Sequence, residues 1–402
     1  MSGAAGPRDS VAAMRVVVAP DKFAGTLSAA EAAEAIAAGW ARTCPADVLD
    51  LVPLADGGPG FVEALHAALG GRLLPLVVRG PLRDPVPAAV LLVEEDAAGS
   101  GGSASGITAY IECAQACGLH LLAPDDRDPA VTTTYGVGEL VAAAIDAGAS
   151  RLVVGLGGSS TNDAGAGLLA ALGATATDAS GADARGLLSG GGLGLRGIAA
   201  LDLAPVRARL DGVALVAASD VDNPLLGLRG ATNGFGPQKG ADEALVMALE
   251  GALESFARAV GRRPDGKDPA VALGAGAAGG LGYALLALGA ERAPGIATVL
   301  DAVGLADRIA AADLVVTGEG AFDWQSLRGK TVSGVAAAAL ALARPVVVLA
   351  GRVEVGRREF TAVGVNAAFA VVDEAGSVDA ALAEPAARLA DTAARAARTW
   401  GG

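Results

Sequence analysis

The fold is decided by V-V-G-L-G-G-S-S-T-N-D-A-G-A-G-L-L-A-A-L-G, residues 153–173. Leu152 to Val154 reads as the end of a buried strand, Gly155 to Ser160 as a turn of small residues, and the run after Asp163 as a helix. Strand, glycine turn and helix form the repeating unit of an α/β fold. Glycines let backbone N–H groups approach a ligand, and a following helix aims its positive end at the same place, which is the physics of an anion site. Gly157, Gly158, Ser159, Ser160 and Thr161 are therefore the candidate phosphate cradle, with three hydroxyl donors added. Asn162 and Asp163 offer oxygens suited to a hard cation such as Mg²⁺. The competing reading is a plain strand-to-helix turn capped by Asp163.

Working outward, the same alternation recurs on both sides. Arg15 to Ala19 reads as a strand and Ser28 to Arg42 as a helix, with Ser28 and Glu31 spaced as a capping box. Val48 to Val52 is a second strand and Phe61 to Leu69 a second helix. From Arg72 the rhythm changes. Leu73 to Val78 and Ala88 to Glu94 read as strands of a different sheet, broken by Pro81, Pro85 and Pro87. Ala97 to Gly106 reads as a flexible Gly/Ser loop, with helices expected at Glu112 to Cys117 and Tyr135 to Ala147 and a strand at Val213 to Ala217. After Gly295 the first rhythm returns: strands at Asp313 to Thr317, Pro345 to Ala350 and Ala367 to Val371, a helix from Val332 to Ala343, and an Ala-rich helix to finish. The expected organisation is a Rossmann-like parallel-sheet domain from both chain ends (residues 14–71 and 295–402). An inserted α/β domain with a mixed sheet (72–294) follows from the change of rhythm, and residues 1–13 form a loose extension. Clefts between such domains are the usual ligand site.

Composition narrows the function classes. Of 402 residues, 52% are hydrophobic and 18% charged, which fits a packed enzyme and not a disordered chain. Aromatics at 3% leave no stacking platform for single-stranded nucleic acid. A formal charge of −14 disfavours nucleic acid and anionic membranes as partners, so an anionic substrate needs a local positive site. Cys44, Cys113 and Cys117 do not make a disulfide scaffold, and Cys113 and Cys117 read as buried thiols. Without a signal-peptide core or a membrane-length apolar run, a cytoplasmic location is expected.

Several signatures fail. Gly329-Lys330-Thr331 ends like a P-loop, but Trp324 stands where the first glycine belongs. Gly274 to Gly279 matches a dinucleotide fingerprint but reads better as a helix packed through small residues. His66 and His120 have no triad partners. What recurs is an acid or amide next to glycines at strand ends: Asp21, Asp56, Asp163, the group Asp220, Asp222 and Asn223, then Glu319 and Asp323. Each alone is usually a turn former or cap, but the ends of α/β strands are where ligands bind. Lys22, Lys239 and Lys330 are the basic residues near such loops, and a lysine in a glycine-flanked loop suits a transferring phosphoryl group.

As a set, these blocks resemble the type I glycerate kinase family. The resemblance runs through A-P-D-K-F-A-G-T-L-S-A (19–29), A-D-G-G-P-G (55–60), T-T-T-Y-G-V-G-E-L (132–140) and G-L-G-G-S-S-T-N-D-A-G-A-G (155–167). It continues through D-V-D-N-P-L-L-G (220–227), G-P-Q-K-G-A (236–241), G-A-G-A-A-G-G-L-G (274–282) and G-E-G-A-F-D-W-Q-S-L-R-G-K (318–330). It implies phosphorylation of D-glycerate by ATP with Mg²⁺, to 2-phosphoglycerate, by in-line transfer in an interdomain cleft. A related hydroxy-acid kinase and a non-catalytic nucleotide- or metabolite-binding paralogue are the alternatives. A homodimer is compatible with the sequence.

The expected roles follow. Asp21 or Asp323 takes the hydroxyl proton and Lys239 stabilises the moving phosphoryl group. Lys22, Asp56, Gly57, Gly58, Glu319 and Gln325 hold the substrate, Gly157 to Thr161 the phosphates, and Asn162, Asp163 and Asp222 the metal. Three positions depart from the family's usual pattern: Ala24 replaces a basic residue, Pro59 an acidic one and Ala321 an arginine. Lys22 or Arg328 would then supply positive charge for the substrate carboxylate.

Overall fold

The computed structural model describes residues 13–23, 25–94, 106–327 and 330–402. The extension at 1–12, Ala24, the Gly/Ser run to residue 105 and Arg328 lie outside the described residues. Contacts divide the chain into two compact units, residues 1–54 with 300–402, and residues 55–299.

The chain opens with strand β1 (Arg15–Val18), the helix Ala29–Ala41 and strand β2 (Val48–Leu51). The capping box is present: Glu31 N–H donates to Ser28 Oγ, and Ser28 N–H donates to a Glu31 carboxylate oxygen. The helix is mostly alanine because it lies against another, Pro385–Trp400, at close range; a Cβ on Gly39 would collide with the Ala390 backbone. Small side chains thus replace aromatics as the packing device. Trp40, fully buried, donates its Nε1–H to Asp47, which also accepts from the Met14 N–H.

Residues 55–299 begin with the helix Phe61–Leu69 and continue through β3 (Arg72–Arg79), β4 (Pro85–Glu94), β5 (Ile107–Glu112), β6 (Ala149–Gly155), β7 (Thr175–Thr177), β8 (Ala200–Asp202), β9 (Ala214–Ala218) and β10 (Glu291–Ala293). Six of them form a mixed sheet in the order β10-β9-β6-β5-β4-β3, antiparallel at β3–β4–β5 and parallel from β5 to β10; β7 and β8 form a separate antiparallel ribbon. The helix Phe61–Leu69 packs on β4 and β5, so contacts put the boundary of this unit ahead of the helix, where the sequence rhythm had put it after.

Two local expectations are corrected. Residues 112–117 are not one helix: β5 runs to Glu112, and a single turn, Ala114–Cys117, follows. The alternation Thr108-Ala109-Tyr110-Ile111 suits a strand, and its parallel pairing with β6 completes the core. Nor do Pro85 and Pro87 break β4. They stand opposite Arg79 and Val77, and Ala89, of the same parity, sends its N–H away from β3 to Gln115 Oε1 at 2.7 Å. A proline at these positions removes no bond from the β3–β4 ladder.

The chain then returns with β11 (Leu314–Phe322), β12 (Val346–Val353) and β13 (Ala367–Ala370). With β1 and β2 they form a five-stranded, all-parallel sheet in the order β13-β12-β11-β1-β2. The expected parallel and mixed sheets are both present. From β1 the chain moves to β2 on one side, and from β11 to β12 on the other, so the order reverses between β1 and β11. In an open α/β sheet that reversal marks where a ligand is received, beyond the carboxyl ends of the two strands. Among the described residues, no helix is long and apolar enough to cross a membrane.

Candidate functional site

In the unit of residues 55–299, the candidate residues gather at the carboxyl ends of β5, β6, β9 and β10. The turn after β6 is shaped by close packing of two glycine loops. A Cβ on Gly157 would collide with the Gly58 backbone, one on Gly155 would lie 2.6 Å from the Gly57 carbonyl oxygen, and one on Gly158 would meet Pro59 at 2.8 Å. Gly57 and Gly158 also have φ of +89° and +71°, where a side chain is strained. Pro59 thus lies against the turn itself.

The single turn Ala114–Cys117 braces the same loop. The Cys117 carbonyl accepts from both Ser160 N–H (2.8 Å) and Ser160 Oγ (3.0 Å), and Leu119 N–H donates to Gly158 O at 2.8 Å. Cys113 and Cys117 are buried free thiols, as expected. On the other side lies Lys239, only 2% exposed. Its Nζ donates to Ser159 Oγ at 3.0 Å and to Thr161 O at 2.6 Å. Burial pulls this ammonium down to about 8, against the opposing influence of Cys117, Cys113 and Asp163. The loop therefore carries a desolvated positive charge in a chain of net charge −14.

Asp163 is fully buried and its carboxylate is crowded with donors. Oδ2 accepts from Thr134 N–H (2.8 Å), Thr134 Oγ1 (2.9 Å), Thr133 Oγ1 and Gly167 N–H; Oδ1 accepts from Gly165 N–H (3.1 Å). Burial raises its carboxyl and these bonds pull the other way. Its bonds to Gly165 and Gly167 reach the start of the helix Ala166–Ala171, whose N-cap is Gly165 and not the expected Asp163. Asn162 donates from Nδ2 to Thr232 Oγ1, while its Oδ1 and the hydroxyl of Thr161 are buried without a partner among the described residues. The stretch Gly274 to Gly282 is no dinucleotide fingerprint. Ala278, Gly279 and Gly280 take left-handed conformations, and Gly279 lies so close to Thr161 that a Cβ there would collide with its carbonyl.

Asp222 is turned elsewhere. It is largely exposed and paired with Arg292. Asp220, two residues before it, is the one facing inward: it accepts from Ile296 N–H, and Gly295 packs against both it and the Asp56 carbonyl. Burial raises the Asp220 carboxyl to about 6; the Ile296 N–H opposes this and the charge of Asp56 adds to it. Asp56 itself accepts from Gly58 N–H. Among the described residues no group of three histidines, cysteines or carboxylates is arranged to hold a metal.

In the unit of residues 1–54 and 300–402, a second group sits at the reversal between β1 and β11. Asp21 follows β1, donates its N–H to Gly318 O, and accepts from Lys22 N–H (2.7 Å) and Thr331 Oγ1 (2.6 Å). Lys22 Nζ is 3.9 Å from Asp21 Oδ1. Glu319, on β11, is buried, and its Oε1 has no partner among the described residues. Burial pushes its carboxyl to about 7, Ser326 opposing and the charge of Asp21 adding. Asp323 is a turn former: burial works to raise its carboxyl, but the N–H groups of Gln325 and Ser326 prevail and hold it below its ordinary value. Gln325 is exposed and accepts from Lys330 Nζ at 3.2 Å. Ala321 lies within β11, its side chain half-buried.

Sequence reasoning missed Thr133, Thr134, Thr232 and Thr331. Only the run Thr132-Thr133-Thr134 gave a signal, since three consecutive threonines ahead of a helix are natural side-chain donors.

Comparison with known proteins agrees with this α/β frame. A family model described as the glycerate kinase family matches residues 16–401, nearly the whole chain, which defines the class as kinase, an enzyme that transfers a phosphoryl group. The chain belongs to the glycerate kinase family. It is 42% identical over 381 residues to a glycerate kinase of Bacillus subtilis, covering 94% of this chain and 96% of that protein. It is 41% identical over 371 residues to a glycerate 2-kinase of Escherichia coli, covering 92% and 93%. A solved chain described as "putative glycerate kinase 2" of Salmonella typhimurium LT2 superposes with a TM-score of 0.78 at 39% identity, covering 96% of this chain and 98% of that one.

Proposed function

We propose that this enzyme transfers the γ-phosphoryl group of ATP to a hydroxyl of D-glycerate, with 2-phosphoglycerate as product. The reading is carried by the buried Lys239 ammonium on Ser159 and Thr161 in a glycine loop, within a chain of this family. The loop Gly157 to Thr161 holds the phosphates, Ser160 bracing it through the Cys117 carbonyl and not donating to the ligand, and Lys239 offsets charge on the group in transfer. The orphaned buried oxygens of Thr161 and Asn162 are hard donors that fit Mg²⁺, whereas Asp163 is spent on five donors and Asp222 on Arg292. When bound, Mg²⁺ neutralises phosphate charge.

For the acceptor, Lys22 draws the carboxylate while Glu319 and Gln325 orient the substrate. Asp21, in preference to Asp323, takes the hydroxyl proton. The alcohol oxygen forms the new bond to phosphorus, the bond from phosphorus to the bridging oxygen breaks, and ADP leaves with that electron pair. The test is ADP release from Mg·ATP with D-glycerate, L-glycerate or no acceptor, with the product's position read by ³¹P NMR. Turnover specific to D-glycerate with a 2-phosphate product is expected; equal rates with and without D-glycerate overturn the reading.

A further inference from the structure

Asp21 and Glu319 bring two buried carboxyl groups to the reversal between β1 and β11. The Asp21 N–H donates to Gly318 O at 2.8 Å, which ties it beside the residue that precedes Glu319. The two are served differently. Asp21 is supplied with donors, Oδ1 accepting from Lys22 N–H at 2.7 Å and Oδ2 from Thr331 Oγ1 at 2.6 Å. Glu319 Oε1 has no partner among the described residues.

Thr331 opens the helix Thr331–Ala341 and is fully buried. A threonine at a helix start commonly turns its hydroxyl to nearby backbone. This one crosses to Asp21, 310 residues away in the chain. A carboxylate only accepts, so the single hydroxyl proton of Thr331 is committed to Oδ2. A bond of this kind favours the ionised carboxyl, and the amino end of an 11-residue helix adds its positive pole on the same side. For Glu319, burial prevails over the opposing Ser326 hydroxyl and pushes the carboxyl to about 7. The other charges nearby are Lys22, whose Nζ is 3.9 Å from Asp21 Oδ1, and Lys330 and Asp323, which act on Glu319 in opposite senses. At its distance Lys22 Nζ makes no hydrogen bond, so Thr331 is the buried side chain that sets Asp21 apart.

We propose that Thr331 is a positioning residue, which makes Asp21 and not Glu319 the carboxylate that takes the proton of the acceptor hydroxyl. This rests on the reading of Asp21 given above. Thr331 does not touch the substrate; it holds Asp21 in place and ionised, and leaves Glu319 neutral beside it, two carboxyls with separate roles. The alcohol oxygen keeps its electron pair and bonds to phosphorus, and its proton passes to Asp21.

The test compares the full chain with its Thr331→Val, Thr331→Ala, Thr331→Ser and Asp21→Asn variants. The readouts are kcat, and KM for ATP and D-glycerate, from acid to alkaline pH. Substrate ionisations are common to every variant, so a difference between profiles belongs to the protein. Without the hydroxyl, Asp21 is more easily protonated, and the acid limb of kcat/KM should move up by about one pH unit in Thr331→Val. Below that limb the loss is then about tenfold, and it shrinks as pH rises. KM for ATP should keep its wild-type value. Thr331→Ser restores the donor and should return the limb. Thr331→Ala removes the same proton without the bulk of valine, and decides the matter if the valine variant does not fold. A wild-type acid limb in both the valine and alanine variants overturns the proposal. So does a loss of the same size at every pH, or one that serine fails to rescue, either of which would mark a purely structural role. If Asp21→Asn keeps wild-type turnover, the reading of Asp21 itself fails, and this assignment with it.

Discussion

Thr134 presents both its backbone N–H and its hydroxyl to the same oxygen of Asp163, at 2.8 and 2.9 Å. Two donors from one residue on one buried oxygen make Asp163 the anchor between the loop after β6 and the start of the helix Tyr135–Asp146. Asp163→Asn would set an NH₂ against an N–H donor whichever way it turned. We expect a loss on the order of 3 kcal/mol in urea denaturation, the cost of leaving buried groups unpaired. A loss under about 1 kcal/mol would show that the anchor is dispensable.

Lys239 sets an alkaline limit. Its ammonium titrates at about 8 in the folded chain, so kcat/KM should fall as pH rises through that value, and Lys239→Met should be nearly inactive without this limb. Stability moves the opposite way. The folded value lies below the unfolded one of about 10.4, so between these pH values the unfolded chain binds more protons. Stability relative to Lys239→Met should therefore rise from pH 8 to 10, read by chemical denaturation.

Glu319 has the reverse sign. Its folded value, about 7, lies above the unfolded one, so the folded chain holds the extra proton and stability drains away as pH rises towards 7. Glu319→Gln cannot ionise. Its Tm should match wild type near pH 4.5 and exceed it by several degrees at pH 8. Equal values at both would mean that the carboxyl is not held neutral by burial.

Two glycines should respond oppositely to alanine. Gly157→Ala forces the turn apart from Gly58, so both Tm and ADP-induced stabilisation should drop. Gly251, exposed in the helix Glu243–Val260 with open space around it, should gain about 0.5–1 kcal/mol as alanine, because the unfolded chain loses freedom. Calorimetry on the pair checks both signs.

Much of this was legible because it is local. The capping box of Ser28 and Glu31 lies within four residues, and the helix Phe61–Leu69 shows its own period. The glycines of 155–158 pointed to a close approach, but not to what approached: the backbone of Gly57 and Gly58, about a hundred residues earlier. The donors on Asp163 come from Thr133 and Thr134, and Lys239 reaches Ser159 from 80 residues away. No spacing rule shows pairings across such distances. Asp220 and Asp222 are alike in sequence, and only the position of Arg292 and the Gly295–Ile296 backbone separates their fates.

The place of β1 in its sheet has a consequence for biosynthesis. It is flanked by β2, made almost at once, and by β11, whose Leu314 pairs with Val16. At about 5–20 residues per second, a nascent chain waits roughly 15–60 s between making these partners. Throughout that interval β1 has an apolar edge with no neighbour, while residues 55–299 emerge as an uninterrupted stretch able to fold first. The edge of β1 that β11 covers is thus completed only after residues 55–299 have been made.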